Sequence, residues 1–344
     1  METIVINGTE DERFYSAAKA LRDGKLVAFP TETVYGLGAN ALNPEAVKRI
    51  YEAKGRPSDN PLIVHITKIS QLESLVKEVP EQARVLMDTF WPGPLTLVLK
   101  KSEFVPDIIT AGLDTVAVRM PNNPIALRLI EEAEVPVAAP SANLSGRPSP
   151  TTHRHVVEDM EGRIEYIING GQCKIGVEST VLDITSGVPI ILRPGGITKE
   201  MLENVIGKVE TDSVLIPEDG VKPRSPGMKY RHYSPKAEMI MVNGDFEKVI
   251  EEINNLTAKN KAEGIKTGVL SCSENKNRYI ADVVVDVGSV NSLEEVASGI
   301  YDGLRKFDED KVDVIYSETF IEADMGRAIM NRLRKASGGR IIEI

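Results

Sequence analysis

The sequence predicts an α/β protein of about two domains: a larger N-terminal one that mixes short strands and helices without one simple repeat, then a smaller one with a mostly parallel sheet. Three observations carry this expectation. The 344 residues exceed what one hydrophobic core usually serves. The stretch VKPRSPGMKYRHYSP, from Val221 to Pro235, holds three prolines, four Lys/Arg and no acidic residue, so it reads as an extended linker. After it, strand-like and helix-like runs alternate regularly, the pattern of a parallel sheet with helical crossovers.

Along the first part, Phe14, Ala17, Ala18 and Leu21 recur at helical spacing before Gly24, and Leu26 to Phe29 reads as a buried strand ending at Pro30. That strand delivers Pro30-Thr31-Glu32-Thr33-Val34-Tyr35-Gly36 to a loop. A helix starts with Asn43 as N-cap and Pro44 at its first position, carries Val47, Ile50 and Tyr51 on its apolar stripe, and ends at Lys54 before Gly55. Strands are expected at Leu62 to Ile66, Leu95 to Leu99, Val116 to Val118, Val135 to Ala139, Thr180 to Ile184 and Ile190 to Leu192.

In the second part, strands are expected at Met239 to Val242, Gly268 to Ser271, Val283 to Val287, Val312 to Tyr316 and Ile341 to Ile344, with helices from Phe246, Ser292 and Gly326. Ser292 and Glu295 have the spacing of a capping box, and Leu293, Val296, Ala297, Ile300, Tyr301 and Leu304 share one helical face.

Composition bounds the function. Hydrophobic residues make up 42% and charged residues 27%, ordinary globular values. The net charge of −10 disfavours nucleic acid outside a local basic patch. Cys173 and Cys272 form no C-x-x-C pair, which excludes a cysteine zinc site and suits a reducing compartment. The first twenty residues are too charged for a secretory signal, and no apolar run approaches the roughly 20 residues of a membrane span. A cytoplasmic protein is expected, with no metal-ligand spacing among His65, His153, His155 and His232 and no phosphate-loop, H-E-x-x-H or G-x-S-x-G motif.

What remains is a set of loops. Lys54 and Arg56 flank Gly55 after a helix, which suits phosphate binding and equally suits neutralising the helix C-terminus. The segment Pro140 to Ser149 is rich in hydroxyls and amides, as ligand loops and plain turns both are. Arg119 and Arg193 each close an apolar strand, where a guanidinium can hold a carboxylate or phosphate or form a salt bridge. Ser179 opens a strand, either facing inward or capping the ladder. His65 lies in an apolar run where a hydrogen-bonded core histidine also fits. Trp91-Pro92-Gly93-Pro94 reads as a turn with an aromatic plug.

Taken together and in order, PTETVYGL, KGRPSDNPL, WPGPLTLVL, PSANLSG, ESTVLD and LRPGG resemble the Sua5/YrdC family of threonylcarbamoyl-AMP synthases over about residues 10–207. The segment SPGMKYRHYSP and the region after it resemble the longer Sua5 branch. The resemblance implies a YrdC-like twisted mixed sheet with a concave ligand site over residues 1–210, a linker and active-site lid over 211–235, and a Rossmann-like α/β domain over 236–344.

It also implies a nucleotidyltransferase that joins L-threonine, bicarbonate and ATP into threonylcarbamoyl-adenylate and pyrophosphate. That is the first step toward the t6A nucleoside at position 37 of ANN-reading tRNAs, with the product handed to a t6A transferase complex and direct tRNA binding weak or absent. Carried over, threonine contacts fall to Thr33, His65, Arg119, Ala139 and Ser179. ATP contacts fall to Lys54, Arg56, Asn60, Thr115, Ser141, Asn143, Ser149, Arg193 and Tyr233, with Lys54 and Arg56 also in the catalytic role and Mg²⁺ on the phosphates. Related domains also serve O-carbamoylation and hydrogenase maturation, but the cysteine pairs expected of the maturation proteins are absent. An RNA-binding module is the reading from a different class, and the acidic net charge weakens it.

Overall fold

The computed structural model describes residues 1–212 and 233–344. Met1–Ser145, Ser149–Lys174 and a stretch beginning at Glu178 form one compact unit; Gly146–Pro148, Ile175–Val177 and a stretch ending at Ile344 form the other. The expected linker and lid at 211–235 falls almost wholly outside the described residues.

In chain order the first unit runs β1 (Ile4–Asn7), α1 (Phe14–Arg22), β2 (Val27–Phe29), β3 (Gly36–Asn40), α2 (Pro44–Lys54), β4 (Ile63–His65), α3 (Glu81–Phe90), β5 (Leu95–Lys100), α4 (Asp107–Thr110), β6 (Thr115–Arg119), α5 (Pro124–Ala133), β7 (Val137–Ala138), α6 (His153–Met160), β8 (Tyr166–Asn169), β9 (Thr180–Asp183), β10 (Ile190–Arg193), α7 (Lys199–Ile206) and β11 (Glu210–Thr211). Its strands make one mixed sheet in the order β1-β8-β2-β3-β7-β4-β6-β5-β9-β10-β11.

Register sorts the side chains onto two faces, because successive residues of a strand alternate. Val64 pairs with Ala138 and Leu97 with Val118, and all four join the main core with Ile50 of α2, Leu86 of α3 and Leu202 of α7. On the other face lie two separate apolar clusters. One holds Phe29, Val137 and Ala139 under α1 and α5. The other, Ile63, Val98, Ala117, Val181 and Leu192, draws its buried members from five strands and no helix. This second face carries the polar residues of interest, because His65 pairs with Arg119 and Thr96 flanks the Leu97–Val118 pair beside Arg119.

The second unit runs β12 (Glu238–Asn243), α8 (Phe246–Ala262), β13 (Thr267–Ser271), β14 (Val283–Asp286), α9 (Leu293–Asp310), β15 (Val314–Glu318), α10 (Met325–Ser337) and β16 (Ile341–Glu343). Its five strands are all parallel, in the order β14-β13-β15-β12-β16. Val296, Ala297, Ile300, Tyr301 and Leu304 of α9 are buried, as the periodicity predicts. The capping box does not form. Ser292 holds the N-cap position without a side-chain bond, and Glu295 instead accepts from the Ser289 N–H at 3.4 Å. No helix among the described residues is long and apolar enough to cross a membrane.

Candidate active site

Beyond β2 the chain turns sharply at Thr31. Its Oγ1 accepts from the N–H groups of Thr33 (3.1 Å) and Val34 (3.2 Å) and donates to the Val34 carbonyl at 2.6 Å, a side-chain turn that fixes the backbone through Glu32 and Thr33. Both residues are thereby buried, Glu32 at 6% and Thr33 at 1% exposure. Arg119, at the end of β6, reaches this turn. Its Nη1 donates to Thr33 Oγ1 at 2.9 Å, its Nε to the Gly93 carbonyl at 3.2 Å, and its Nη2 stands 2.6 Å from Glu32 Oε1 as an ion pair. That contact lacks hydrogen-bond alignment, so neither Glu32 oxygen accepts a hydrogen bond among the described residues.

His65 lies beside Arg119 in register. Burial and, after it, the Arg119 charge push its imidazole down to about 3, so it is neutral at physiological pH. Its ring meets Phe29 edge-on at 6.3 Å, and its Nδ1 has no hydrogen-bond partner among the described residues.

Ser179 is held from two sides. Arg193 donates from Nε to the Ser179 carbonyl at 3.0 Å and from Nη2 to its Oγ at 3.1 Å, and Thr96 Oγ1 lies 2.8 Å from the same hydroxyl. Gly195 makes this arrangement possible: a Cβ there would fall 2.4 Å from Thr180 N, 2.5 Å from Glu178 O and 2.6 Å from Ser179 C, all backbone atoms that cannot turn aside. Gly195→Ala is therefore expected to cost about 1–3 kcal/mol of stability and to disturb the Ser179–Arg193 pair. Denaturant unfolding with a parallel activity assay checks it, and an unchanged unfolding midpoint would mean that the backbone yields freely.

A second cluster forms around α2. Asn43 caps it by accepting from Glu45 N and Ala46 N, and Gly55 ends it in the left-handed region at φ 61°. Lys54, in the last turn, is turned inward onto the loop that carries Ser141 and Asn143. It is 3% exposed, and its Nζ donates to the Ser141 carbonyl at 2.5 Å and the Asn143 carbonyl at 2.6 Å. Ser145 N returns a bond to the Lys54 carbonyl at 2.9 Å. Helix end and loop are thus stitched together, and Ser141 also bridges to Gly36. Arg56 extends past the helix over the Tyr51 ring at 6.0 Å and donates to the Asn60 carbonyl at 3.3 Å. The Asn60 amide is fully buried with neither Oδ1 nor Nδ2 hydrogen-bonded among the described residues.

The fold therefore brings Thr33, His65, Arg119, Ser179 and Arg193 to one face, and Lys54, Ser141 and Asn143 into one stitched loop with Arg56 and Asn60 nearby in the chain. Arg193, expected on ATP, is bonded to Ser179, expected on threonine. Ala139 N donates to the Ile63 carbonyl at 2.9 Å, at the start of β4. Thr115 opens β6 at the end opposite Arg119, four residue steps or roughly 13 Å away. Ser149 donates to Glu178 Oε1 at 2.5 Å. Tyr233 lies in the second unit, its ring 5.3 Å from that of Tyr301.

Four participants escape the sequence analysis: Glu32, Thr96, Glu178 and the Gly93 carbonyl. Glu32 carries a signal, since it is the only charge between Lys25 and Glu45. The Trp91–Pro94 turn, which the residues alone mark only as a turn, seats the guanidinium of Arg119 through that carbonyl.

Comparisons with known proteins match both units. A family model described as "Telomere recombination" covers residues 19–195, and one described as "Threonylcarbamoyl-AMP synthase, C-terminal domain" covers residues 197–338. A threonylcarbamoyl-AMP synthase of Pyrococcus abyssi is 55% identical, taking in 99% of this chain and 100% of its own length. One from Bacillus subtilis is 54% identical, over 97% of this chain and 95% of its own. The crystal structure of P. abyssi Sua5 complexed with L-threonine superposes with a TM-score of 0.93 at 56% identity, covering 99% of this chain and 100% of that one.

Proposed function

The chain belongs to the Sua5/YrdC family of threonylcarbamoyl-AMP synthases, and from that premise we propose that it joins L-threonine, bicarbonate and ATP into threonylcarbamoyl-adenylate, releasing pyrophosphate. The observation that carries this reading is the row of buried polar groups around Arg119 on a face that otherwise buries apolar side chains. A guanidinium at 3% exposure, oriented by Thr33 and the Gly93 carbonyl, is suited to take the two oxygens of an amino-acid carboxylate.

His65, held neutral, contributes hydrogen bonding and no charge. Ala139 supplies backbone and Ser179 its hydroxyl to threonine. Lys54, Arg56, Asn60, Thr115, Ser141, Asn143, Ser149, Arg193 and Tyr233 take the nucleotide, with Lys54 and Arg56 also in the catalytic role and Lys54 bonded to the loop of Ser141 and Asn143. Attack of a carbamate oxygen on the α-phosphate is an in-line displacement that needs positioning and charge neutralisation more than a protein nucleophile. Mg²⁺ belongs on the ATP phosphates, with water completing its coordination; the described residues gather no three His, Cys, Asp or Glu side chains for it. The same reading divides the chain into a catalytic domain over 1–210, a connecting segment over 211–235 and a C-terminal domain over 236–344. It places the enzyme in the cytoplasm and hands its product to a tRNA t6A transferase.

Pyrophosphate release, measured with threonine and bicarbonate omitted in turn, tests it. Release that needs both is the expected result; release from ATP that ignores either would overturn the assignment.

A further inference from the structure

Glu32 is a buried charge in contact with Arg119 that the proposed reaction leaves without a role. The residue is 6% exposed, and among the described residues its carboxylate accepts no hydrogen bond and touches one cation, Arg119 Nη2, at 2.6 Å. Carboxylates are rarely left this way, because a buried anion is stabilised only by good pairing or several hydrogen bonds. Here the turn at Thr31 holds Glu32 between two threonines and aims it at the guanidinium proposed to take the substrate carboxylate.

We infer that Glu32 is the counter-ion and proton acceptor of the threonine ammonium group, an inference that rests on the proposed threonylcarbamoyl-adenylate synthesis. The substrate brings two opposite charges two bonds apart, and the protein holds two opposite charges in contact. When the substrate carboxylate takes the Arg119 fork, Glu32 loses its cation at the moment an ammonium arrives beside it. A buried carboxylate deprived of its cation neutralises itself by accepting a proton.

The step balances. Threonine ammonium gives one proton to Glu32; the freed amine lone pair forms the N–C bond to bicarbonate carbon; the C–OH bond breaks, and that hydroxide leaves as water with the second N–H proton. Carbamate, water and a protonated Glu32 result, with no oxidant or reductant required.

The titratable and charged groups around Glu32 fit a proton transfer in which they stay fixed. Arg119 faces it from β6. Cys173, in the loop after β8, is pushed up to about 12 by burial, with the Glu32 charge adding to the rise, so it stays a thiol. His65 of β4, beside Arg119, stays neutral.

The test compares wild type, Glu32→Gln and Glu32→Asp in threonine- and bicarbonate-dependent pyrophosphate release from pH 7 to 9, with ATP binding measured separately. Glu32→Gln should lose about 100-fold or more at pH 7. Its residual rate should climb about tenfold per pH unit as solvent supplies the free amine, while wild type stays nearly flat and ATP affinity is unchanged. Glu32→Asp, which keeps a carboxylate, should turn over more slowly than wild type with a flat profile. A Glu32→Gln rate equal to wild type, or a loss that alkali does not recover, overturns the inference. Should Glu32→Gln fail to fold, a steep alkaline rise in Glu32→Asp overturns it instead. Failure of wild type to need threonine and bicarbonate would strike the underlying activity, a separate outcome read in the same assay.

Discussion

Arg119→Lys is expected to raise the threonine KM about 10- to 100-fold while leaving the ATP KM within about twofold. The range follows from about 1.5–3 kcal/mol for hydrogen bonds to a charged group, converted at 1.4 kcal/mol per tenfold. Lysine keeps the charge but not the fork. The guanidinium uses Nε on Gly93 O and Nη1 on Thr33 while Nη2 meets Glu32, three directions that one ammonium on a flexible stem cannot reproduce. Arg119→Ala should be worse in a different way: it strands Glu32 as a buried carboxylate and should cost about 3–5 kcal/mol of folding stability. Steady-state kinetics varying each substrate, with unfolding curves for both variants, separates the effects. An equal rise in both KM values for Arg119→Lys would make Arg119 a structural residue.

The elements that set the site were legible where local chemistry is strong. Asn43, Pro44 and Gly55 mark both ends of α2, and all three act as their residue types suggest. The parallel unit was legible from alternating runs, since each crossover helix shows its own apolar stripe. Two kinds of information were not. The first is sheet order. Nothing local states that β7 lies between β3 and β4, yet that placement joins the sheet's two halves and sets Ala139 beside Ile63. The second is what a side chain touches once buried. Lys54 suited phosphate binding and the helix C-terminus alike, and nothing local named its carbonyl partners, which lie 87 and 89 positions away. Ser292 and Glu295 had the spacing of a capping box, but Ser289 captured the glutamate. Spacing nominates a contact, and the competing partners decide it.

Lys54 and Arg56, alike in sequence, should behave differently when removed. Lys54→Ala takes an ammonium from two carbonyls, the part-buried one of Ser141 and the buried one of Asn143, and leaves the space of its stem unfilled. Each unsatisfied buried acceptor costs about 1–3 kcal/mol, so a loss of about 2–4 kcal/mol of stability is expected. Turnover should fall about 100-fold or more, because the loop carrying Ser141 and Asn143 is released. Arg56 is partly exposed and rests on the Tyr51 ring and the Asn60 carbonyl. Arg56→Ala should therefore cost under about 1 kcal/mol of stability while lowering turnover about 100- to 1,000-fold through lost charge neutralisation on the phosphates. Unfolding midpoints set beside pyrophosphate-release rates for the two variants separate the roles: a Lys54→Ala protein with wild-type stability would mean that its carbonyl bonds hold nothing in place, and full activity in Arg56→Ala would take that guanidinium out of the mechanism. Lys54→Met, which fills most of the stem's volume without the donors, then isolates the hydrogen bonds, and it should recover the packing part of the stability loss and none of the turnover.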